Sequence, residues 1–244
     1  MPGLDVHYTH RRARVAGHLA TSTCLRYNRP MSPQATIEWV RQALSGPLPG
    51  RAAQLTMATR PRPGDRPDIP APCPHEGAVL ILLYQAEGGL QFPLTVRSST
   101  VHAHKGQISL PGGAKEPGDE GFEQTALREA SEELGVATAT IQLLGALSRL
   151  YIPHSRFCVH PFVGYAPEQP NWHPDPAEVA ELFSAPLGDL LEPSTVHEEV
   201  SVHDGVSFLV PHYRFGTHRV WGATAMILAE FVALLRAAPQ TAAS

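Results

Sequence analysis

Three carboxylates near the middle of the chain have a spacing that suits a metal ion. Glu129, Glu132 and Glu133 stand at positions i, i+3 and i+4, which share one face of a helix. Like charges four residues apart destabilise an exposed helix by a few tenths of a kcal/mol. A hard divalent cation bound between the carboxylates would turn this destabilisation into a net stabilisation. Such ions are commonly held by carboxylates together with substrate phosphates. The spacing therefore indicates either a solvated acidic helix or a site for a hard divalent cation.

The charge distribution favours the cation site. Residues 116–133 carry seven acids and one base, a net charge of −6, whereas the whole chain has −4. This acidity is local, so it does not serve general solubility. The single base, Arg128, adjoins Glu129 and precedes Glu132 by four residues, so it can hold a carboxylate in one rotamer. An ordinary surface ion pair is the alternative for Arg128.

The residues around these acids predict a helix preceded by a glycine loop. The segment 122–134 contains good helix formers without Pro or Gly, and Gly135 suits the left-handed residue that ends a helix. Its buried stripe is predicted to be Phe122, Ala126, Leu127, Ala130 and Leu134. Asp119 or Glu120 would favour the positive end of the helix dipole. Gly112 and Gly113 permit a close approach of backbone to a cation or phosphate.

These residues resemble the Nudix box, G-x5-E-x7-R-E-U-x-E-E-x-G-U with U aliphatic. The half from Arg128 to Val136 matches, with Ala130 at the first aliphatic position. In the first half, six residues separate Gly113 from Glu120, one more than the pattern has. That extra residue is typical of the coenzyme A pyrophosphatase branch of the family.

A second block resembles the signature of the same branch, L-L-T-x-R-S-x3-R-x3-G-x3-F-P-G-G. It comprises residues 94–98 and 106–113, with His102 in place of Arg and Leu110 in place of Phe. Leu keeps an apolar anchor, but a neutral imidazole cannot fork onto a phosphate as guanidinium does. If the family's arginine binds the 3′-phosphate of coenzyme A, its replacement by His102 puts the identity of the substrate in question. Residues 150–153 and 221–225 also resemble bacterial members of the branch.

The resemblance implies hydrolysis of a nucleoside diphosphate linked to another moiety, with Mg²⁺ or Mn²⁺ as cofactor. Coenzyme A would yield 3′,5′-ADP and 4′-phosphopantetheine. The expected metal ligands are Glu129, Glu133, Glu132 and the carbonyl of Gly112. The expected catalytic residues are Arg128, Glu132 and Glu133, and the expected substrate-binding residues are Arg97, Ser98, His102 and Gly113.

The general base is left open by the sequence. Glu132 and Glu133 are candidates within the motif. Acids outside it could also return to the site, namely Glu178, Glu181, Glu198 and Glu199.

Two other functions compete with the coenzyme A hypothesis. One is the same chemistry on another nucleoside diphosphate, such as ADP-ribose or NADH, which His102 supports. The other is a binding module without turnover. Such a module would be expected to lose a glutamate of the box or Arg128, and this chain retains them all.

Composition narrows the class of protein. A chain of 244 residues with 43% hydrophobic content can bury one sizeable core. No apolar run is long enough to cross a membrane, and a pI near 6.3 indicates no nucleic-acid partner. Three cysteines without metal-ligand spacing favour a reducing, cytoplasmic location. The expected partner is a small nucleotide, and the chain is expected to be a monomer or homodimer.

Three regions are predicted along the chain. Residues 1–30 hold five arginines and one acid and are expected to form a dispensable, disordered leader. Residues 31–76 should contain a helix from Ser32-Pro33 to Leu44 and then a proline-rich surface wrap over 47–75. Residues 77–238 should form the Nudix domain.

Apolar segments of strand length predict the strands of that domain. Gly88 and Gly89 should turn the first predicted strand into the second, and a helix over 221–235 should close the chain. Strands flanked by a central and a terminal helix predict an α/β/α sandwich around a mixed sheet. The predicted strands are 78–84, 90–97, 141–150, 157–165, 179–183, 200–202 and 207–210.

Overall fold

The computed structural model of the chain describes residues 32–62, 64–65, 69–98, 107–203 and 205–239. Within these residues the helices are α1 (Pro33–Leu44), α2 (Gly50–Gln54), α3 (Phe122–Leu134), α4 (Leu187–Leu191) and α5 (Gly222–Ala237). The strands are β1 (His75–Ala86), β2 (Gly89–Arg97), β3 (Ile108–Ser109), β4 (Gly112–Ala114), β5 (Gln142–Ala146), β6 (Leu150–Ile152), β7 (Phe157–Ala166), β8 (Val179–Pro186), β9 (Val196–His203), β10 (Val206–Phe215) and β11 (His218–Trp221).

The larger of two sheets is mixed. Its main path is β3-β2-β1-β7-β5, while β4 pairs with β1, β6 with β7 and β8 with β2. β1 and β7 run parallel, and the remaining pairs in this sheet are antiparallel. The smaller sheet is antiparallel, with the order β11-β10-β9.

Side-chain alternation along β1 places helices on both faces of the mixed sheet. Ile81 and Leu83 join the larger apolar cluster with α1 and α5, while Leu80 and Leu82 join a second cluster with α3. Both faces are covered, so β1 reads as a nearly continuous apolar run. The predicted α/β/α sandwich around a mixed sheet is confirmed.

The predicted first and last helices are present. Ser32 caps α1 by accepting a hydrogen bond from the Ala35 N–H at 3.2 Å, and Pro33 occupies the first turn, where its missing N–H costs nothing. α5 begins directly after Trp221 and is buried along most of its length. None of the helices in the described residues has the length and hydropathy needed to cross a bilayer.

The prediction of an uninterrupted extended wrap over 47–75 is wrong, because α2 and a 3-10 turn over 55–57 lie within it. A fully buried carboxylate on α5, Glu230, explains the helical turn. It accepts hydrogen bonds from the Gly50 N–H at 3.1 Å and the Gln54 Nε2 at 2.8 Å. It also accepts one from the Ser148 N–H at 3.1 Å. This long-range partner cannot be read from local sequence.

A disulfide joins Cys73 to Cys158, with 6.2 Å between their Cα atoms. The parallel pairing of β1 with β7 sets His75 beside Phe157 and so brings the two cysteines together. The cysteine count had favoured a reducing compartment, and that argument loses its support because two of the three cysteines are bonded.

Several strands differ from their predicted bounds. The single strand expected over 141–150 is divided into β5 and β6, both of which pair with β7. A bulge interrupts β5 between Leu143 and Gly145. The short strands β3, β4 and β11 were not predicted. The leader and His102 lie outside the described residues.

Candidate active site

The site is built where β4 lies beside β1. In this ladder the Leu80 N–H donates to the Pro111 carbonyl at 2.9 Å and the Lys115 N–H donates to the Glu76 carbonyl at 3.0 Å. Odd-numbered residues of this segment therefore bond to β1. Gly112 turns its N–H and C=O to the other side, since both groups of a strand residue point the same way.

Two carboxylates of α3 lie against these glycines. A methyl group built on Gly113 would come within 2.6 Å of both carboxylate oxygens of Glu129. The Gly112 N–H donates to Glu133 Oε2 at 3.3 Å. Glycine is therefore required at 113 for close approach, and the backbone of β4 forms one wall of the carboxylate site.

Arg128 organises the acids around it. Its Nε and Nη2 donate to the two oxygens of Asp119 at 3.1 and 3.0 Å, and Nη2 also donates to the Ala114 carbonyl at 3.0 Å. Its Nη1 lies 3.0 Å from Glu129 and 2.8 Å from Glu132. Arg128 thus ties α3 to the loop after β4 and is more than a surface ion pair.

Asp119 has a different role from the one predicted. The residue that caps α3 is Gly121, without a side-chain cap bond, and Asp119 is buried beneath Arg128. It also accepts hydrogen bonds from the Glu116 N–H and the Thr125 hydroxyl, each at 2.9 Å. The bond from Arg128 is the main reason that the pKa of Asp119 lies far below its usual range. The same bond raises the pKa of Arg128.

Burial raises the pKa of both glutamates that face the glycines, Glu129 and Glu133. Desolvation raises the pKa of Glu133 to about 8, against the opposing charge of Arg97. Desolvation also raises the pKa of Glu129, and the neighbouring guanidinium of Arg128 opposes the shift. Both carboxylates are therefore poorly solvated and would gain from a cation.

The wall opposite α3 comes from the end of β2. Arg97 Nη1 lies 3.8 Å from Glu133 Oε1, and the Arg97 side chain is one-quarter exposed. Its Nε is buried and has no hydrogen-bond partner among the described residues. Ser98 is buried and donates its N–H to the Glu178 carbonyl at 2.8 Å. Arg97 is thus a cation at the border of the carboxylate site.

A family model described as the NUDIX domain matches residues 74–204, more than half of the chain. The chain belongs to the Nudix family. The match includes β4, the α3 helix with its glutamates, and Glu178.

Named Nudix relatives cover much of the chain. An uncharacterized Nudix hydrolase, NudL, of Photorhabdus laumondii is 38% identical over 55% of this chain and 72% of its own length. The mitochondrial coenzyme A diphosphatase NUDT8 of Homo sapiens is 37% identical over 69% of this chain and 72% of its own length. A MutT/nudix family protein of Enterococcus faecalis, known from a crystal structure, aligns with a TM-score of 0.43 and 17% identity, covering 83% of this chain and 73% of that one. The chain is accordingly a Nudix hydrolase, an enzyme that acts on phosphorus anhydrides.

The Nudix helix gathers most of the predicted site residues, but Glu132 stands apart. Its side chain is 57% exposed and pairs with Arg128, while Glu129 and Glu133 face the glycines. Of the acids outside the box, Glu178 has its main chain beside the site, because its carbonyl accepts from the Ser98 N–H at 2.8 Å. The remaining three bind bases elsewhere: Glu181 pairs with His218, Glu198 with Arg60 and Glu199 with Arg219.

The donor set fits a divalent cation that is completed by substrate. Among the described residues, no group of three or more His, Cys, Asp or Glu side chains is arranged to hold a metal ion by itself. Mg²⁺ is usually bound through one or two carboxylates, several waters and substrate phosphates. Glu129 and Glu133 supply two poorly solvated carboxylates, and the Gly112 carbonyl faces away from the β1 ladder. Family membership makes a divalent metal the general expectation here.

Proposed function

We propose that the protein hydrolyses the diphosphate bond of coenzyme A or its thioesters, with Mg²⁺ or Mn²⁺. The single observation that carries the hydrolytic chemistry is the position of Glu129 and Glu133 against the Gly112–Gly113 backbone. Arg97 lies on the facing wall. The products from coenzyme A would be 3′,5′-ADP and 4′-phosphopantetheine.

Each side chain has a distinct task in this proposal. Glu129, Glu133 and the Gly112 carbonyl would hold the metal, with Glu132 as a further ligand if its pair with Arg128 opens. A bound divalent ion would supply charge neutralisation on the diphosphate and lower the pKa of a bound water. Arg97, whose side chain is one-quarter exposed, would donate to a phosphate oxygen. Gly113 gives the Glu129 carboxylate room by lacking a side chain, and Arg128 keeps Glu129 in place.

Two observations support coenzyme A as the substrate. The human relative at 37% identity is named a coenzyme A diphosphatase. The two segments that resemble the branch also contact each other, because the Thr224 hydroxyl at the start of α5 donates to the Ile108 carbonyl at 3.1 Å. That bond braces the strand leading into Leu110, Pro111 and Gly112.

The alternative substrate is another nucleoside diphosphate, such as ADP-ribose or NADH. His102 favours it, since the branch signature has an arginine there and imidazole is a weaker partner for a 3′-phosphate. Ser98 and Arg97 would serve either substrate, so the choice depends on groups that contact the far end of the nucleotide.

The test is a comparison of kcat/KM for coenzyme A, acetyl-coenzyme A, ADP-ribose and NADH, measured with the full chain and Mg²⁺. We expect the two coenzyme A substrates to be preferred. A higher kcat/KM for ADP-ribose or NADH would agree with Nudix chemistry but reject coenzyme A as the preferred substrate. In that case His102→Arg is the first variant to assay for a gain of coenzyme A hydrolysis.

A cytoplasmic location and a monomeric or homodimeric state remain predictions from the sequence. The name of the human relative places that protein in the mitochondrion. Fractionation of the source cells, and light scattering of the purified chain, would test the two predictions separately.

A further inference from the structure

The outer strand of the smaller sheet, β9, has an apolar edge. In the described part of the chain β9 pairs only with β10. Six large hydrophobic side chains are exposed among the described residues, and four of them lie on the β9–β10 hairpin, namely Val196, Val200, Val202 and Val206. Val200 and Val202 are the most exposed of the six, at 68% and 66%. The exposed apolar surface is therefore concentrated on this hairpin.

The hydrogen bonds of β10 show which way the main chain of β9 points. Leu209 of β10 lies opposite Val200. It exchanges both of its main-chain hydrogen bonds with Arg60, at 2.8 and 2.9 Å. Pairs in an antiparallel ladder alternate between hydrogen-bonded and non-hydrogen-bonded, so Leu209 and Val200 form a non-hydrogen-bonded pair. The N–H and C=O of Val200 therefore point away from β10, toward the free edge.

Every second residue of β9 points the same way. Pro211, opposite Glu198, has no N–H to donate, which fits another non-hydrogen-bonded pair. The residues that turn their main chain outward are thus Val196, Glu198, Val200 and Val202. Their side chains also share one face of the sheet, because side chains alternate along a strand. The edge combines unpaired donors and acceptors with three exposed valines.

β9 has none of the features that usually prevent pairing at an edge. Natural edge strands are commonly protected by lysine, proline or a bulge. β9 contains neither lysine nor proline, and its register with β10 runs without a bulge. Its two acids are paired within the same chain, Glu198 with Arg60 and Glu199 with Arg219. Another strand could therefore pair here without meeting an uncompensated charge.

A second copy of β9 is complementary to this edge. Antiparallel pairing about a two-fold axis uses the same surface on both subunits and closes after two copies. With the axis at Val200, this residue meets its own copy, and Glu198 lies opposite Val202 of the partner subunit. Glu199 then lies opposite Ser201 of the partner subunit, so no two carboxylates face each other. An axis at Glu199 would set two glutamates side by side, which is destabilising.

We propose that the protein forms a homodimer in which β9 pairs with β9 of a second copy, with the axis at Val200. The two smaller sheets would join into one sheet, with three strands from each subunit. The paired segment is short, so we expect the dimer to dissociate on dilution. This inference does not depend on the proposed diphosphatase activity.

The first test is the dissociation constant of the dimer, measured by analytical ultracentrifugation of the full chain over about a hundredfold range of concentration. Val200→Lys places two like charges at the axis and should raise the Kd about tenfold or more. Val206→Lys is the matched control, since it makes the same change at an exposed valine on β10 of the same hairpin. The control should dimerise like wild type, and both variants should retain the wild-type melting temperature.

The second test is amide hydrogen exchange of the wild-type chain, which decides the question even if Val200→Lys fails to fold. The N–H groups of Glu198, Val200 and Val202 should become protected as the protein concentration rises, because pairing removes them from water.

Four results would overturn the proposal. One is a protein that stays monomeric over the whole concentration range. Another is a dimer that Val200→Lys does not weaken, which would place the interface elsewhere. An equal loss in Val206→Lys would show that pairing at the edge is not what the substitution removes. Protection of the three amides in a monomeric protein would show that a segment of the same chain covers β9.

Discussion

At the scale of single residues, Arg128 is the cation that contacts most of the acids around the Nudix helix. It binds Asp119 through Nε and Nη2, and its Nη1 contacts both Glu129 and Glu132. Glu133 lies beyond its direct reach, buried beside Gly112. Arg128 therefore contacts two of the three glutamates, while the third, Glu133, accepts a hydrogen bond from the Gly112 N–H.

Glu133 is the side chain whose loss should cost most activity. Glu133→Gln keeps the volume but removes the charge that a metal ion requires, so we expect kcat to fall by about a hundredfold or more. Steady-state kinetics with Mg²⁺ would measure it, with circular dichroism to verify the fold. Glu123→Gln, on the exposed first turn of the same helix, should keep the wild-type kcat. Turnover near the wild-type rate in Glu133→Gln would remove this residue from the site.

The raised pKa of Glu133 predicts how stability depends on pH in metal-free protein. With a folded pKa of about 8 and an ordinary value of about 4.3, the folded state holds a proton that the unfolded chain has lost. Folding stability should therefore fall as pH rises between those two values. Denaturant unfolding in chelator at several pH values would show a shallower fall in Glu133→Gln. Equal slopes in both proteins would show that burial does not perturb this carboxylate.

At the scale of elements, the close contact between β4 and α3 is the feature most sensitive to substitution. Gly113→Ala would force Glu129 to move, because the added methyl group would meet its carboxylate at 2.6 Å. A misplacement of about 1 Å at such a site can cost about a hundredfold in rate. Gly118→Ala, in the loop that follows β4 and with open space around it, is the matched control. Equal kcat values for the two variants would contradict the contact.

The sequence predicts the elements whose signals are local. α3 was predicted because its apolar spacing, the absence of Pro and the terminal Gly135 all lie within one segment. The contact of Glu129 and Glu133 with Gly112 and Gly113 follows from the family motif only as a resemblance. Their burial depends on the pairing of β4 with β1. β4 has three residues, two of them glycines, and shows no apolar pattern that would predict a strand.

Other parts of the site were not predictable for the same reason. Asp119 looked like a residue for the helix dipole, and its bond to Arg128 depends on how the loop folds back. Glu178 was one of four outside acids that sequence could not separate. Backbone bonds to Ser98 and Asp175 bring the main chain of Glu178 beside the end of β2, and those bonds depend on tertiary packing.

At the scale of the whole molecule, a buried carboxylate and a disulfide are among the links that join the segment before β1 to the rest of the chain. The buried Glu230 holds the start of α2, and the disulfide holds Cys73 to β7. The apolar cluster that contains α5 also includes Ile37, Trp39 and Met57. Residues 33–58 therefore contribute to the core of the mixed sheet, as predicted for the first helix but not for the part of the predicted surface wrap that contains Met57.

The disulfide should contribute measurably to stability. It closes a loop with a sequence separation of 85 residues, and such links typically add about 2–4 kcal/mol to the free energy of unfolding. Denaturant unfolding with and without reductant would measure the loss, and Cys73→Ser should reproduce it. Cys24→Ser, a cysteine outside the bond, should leave stability unchanged. Free thiols at 73 and 158 in the purified protein would show that the bond does not form under those conditions.

The most direct measurement is the identity of the products that the full chain forms from coenzyme A with Mg²⁺, determined by mass spectrometry. Cleavage of the diphosphate predicts equal amounts of 3′,5′-ADP and 4′-phosphopantetheine, and none of either in the presence of chelator. Release of inorganic phosphate with dephosphorylated coenzyme A, or intact coenzyme A after prolonged incubation, would contradict the proposed reaction.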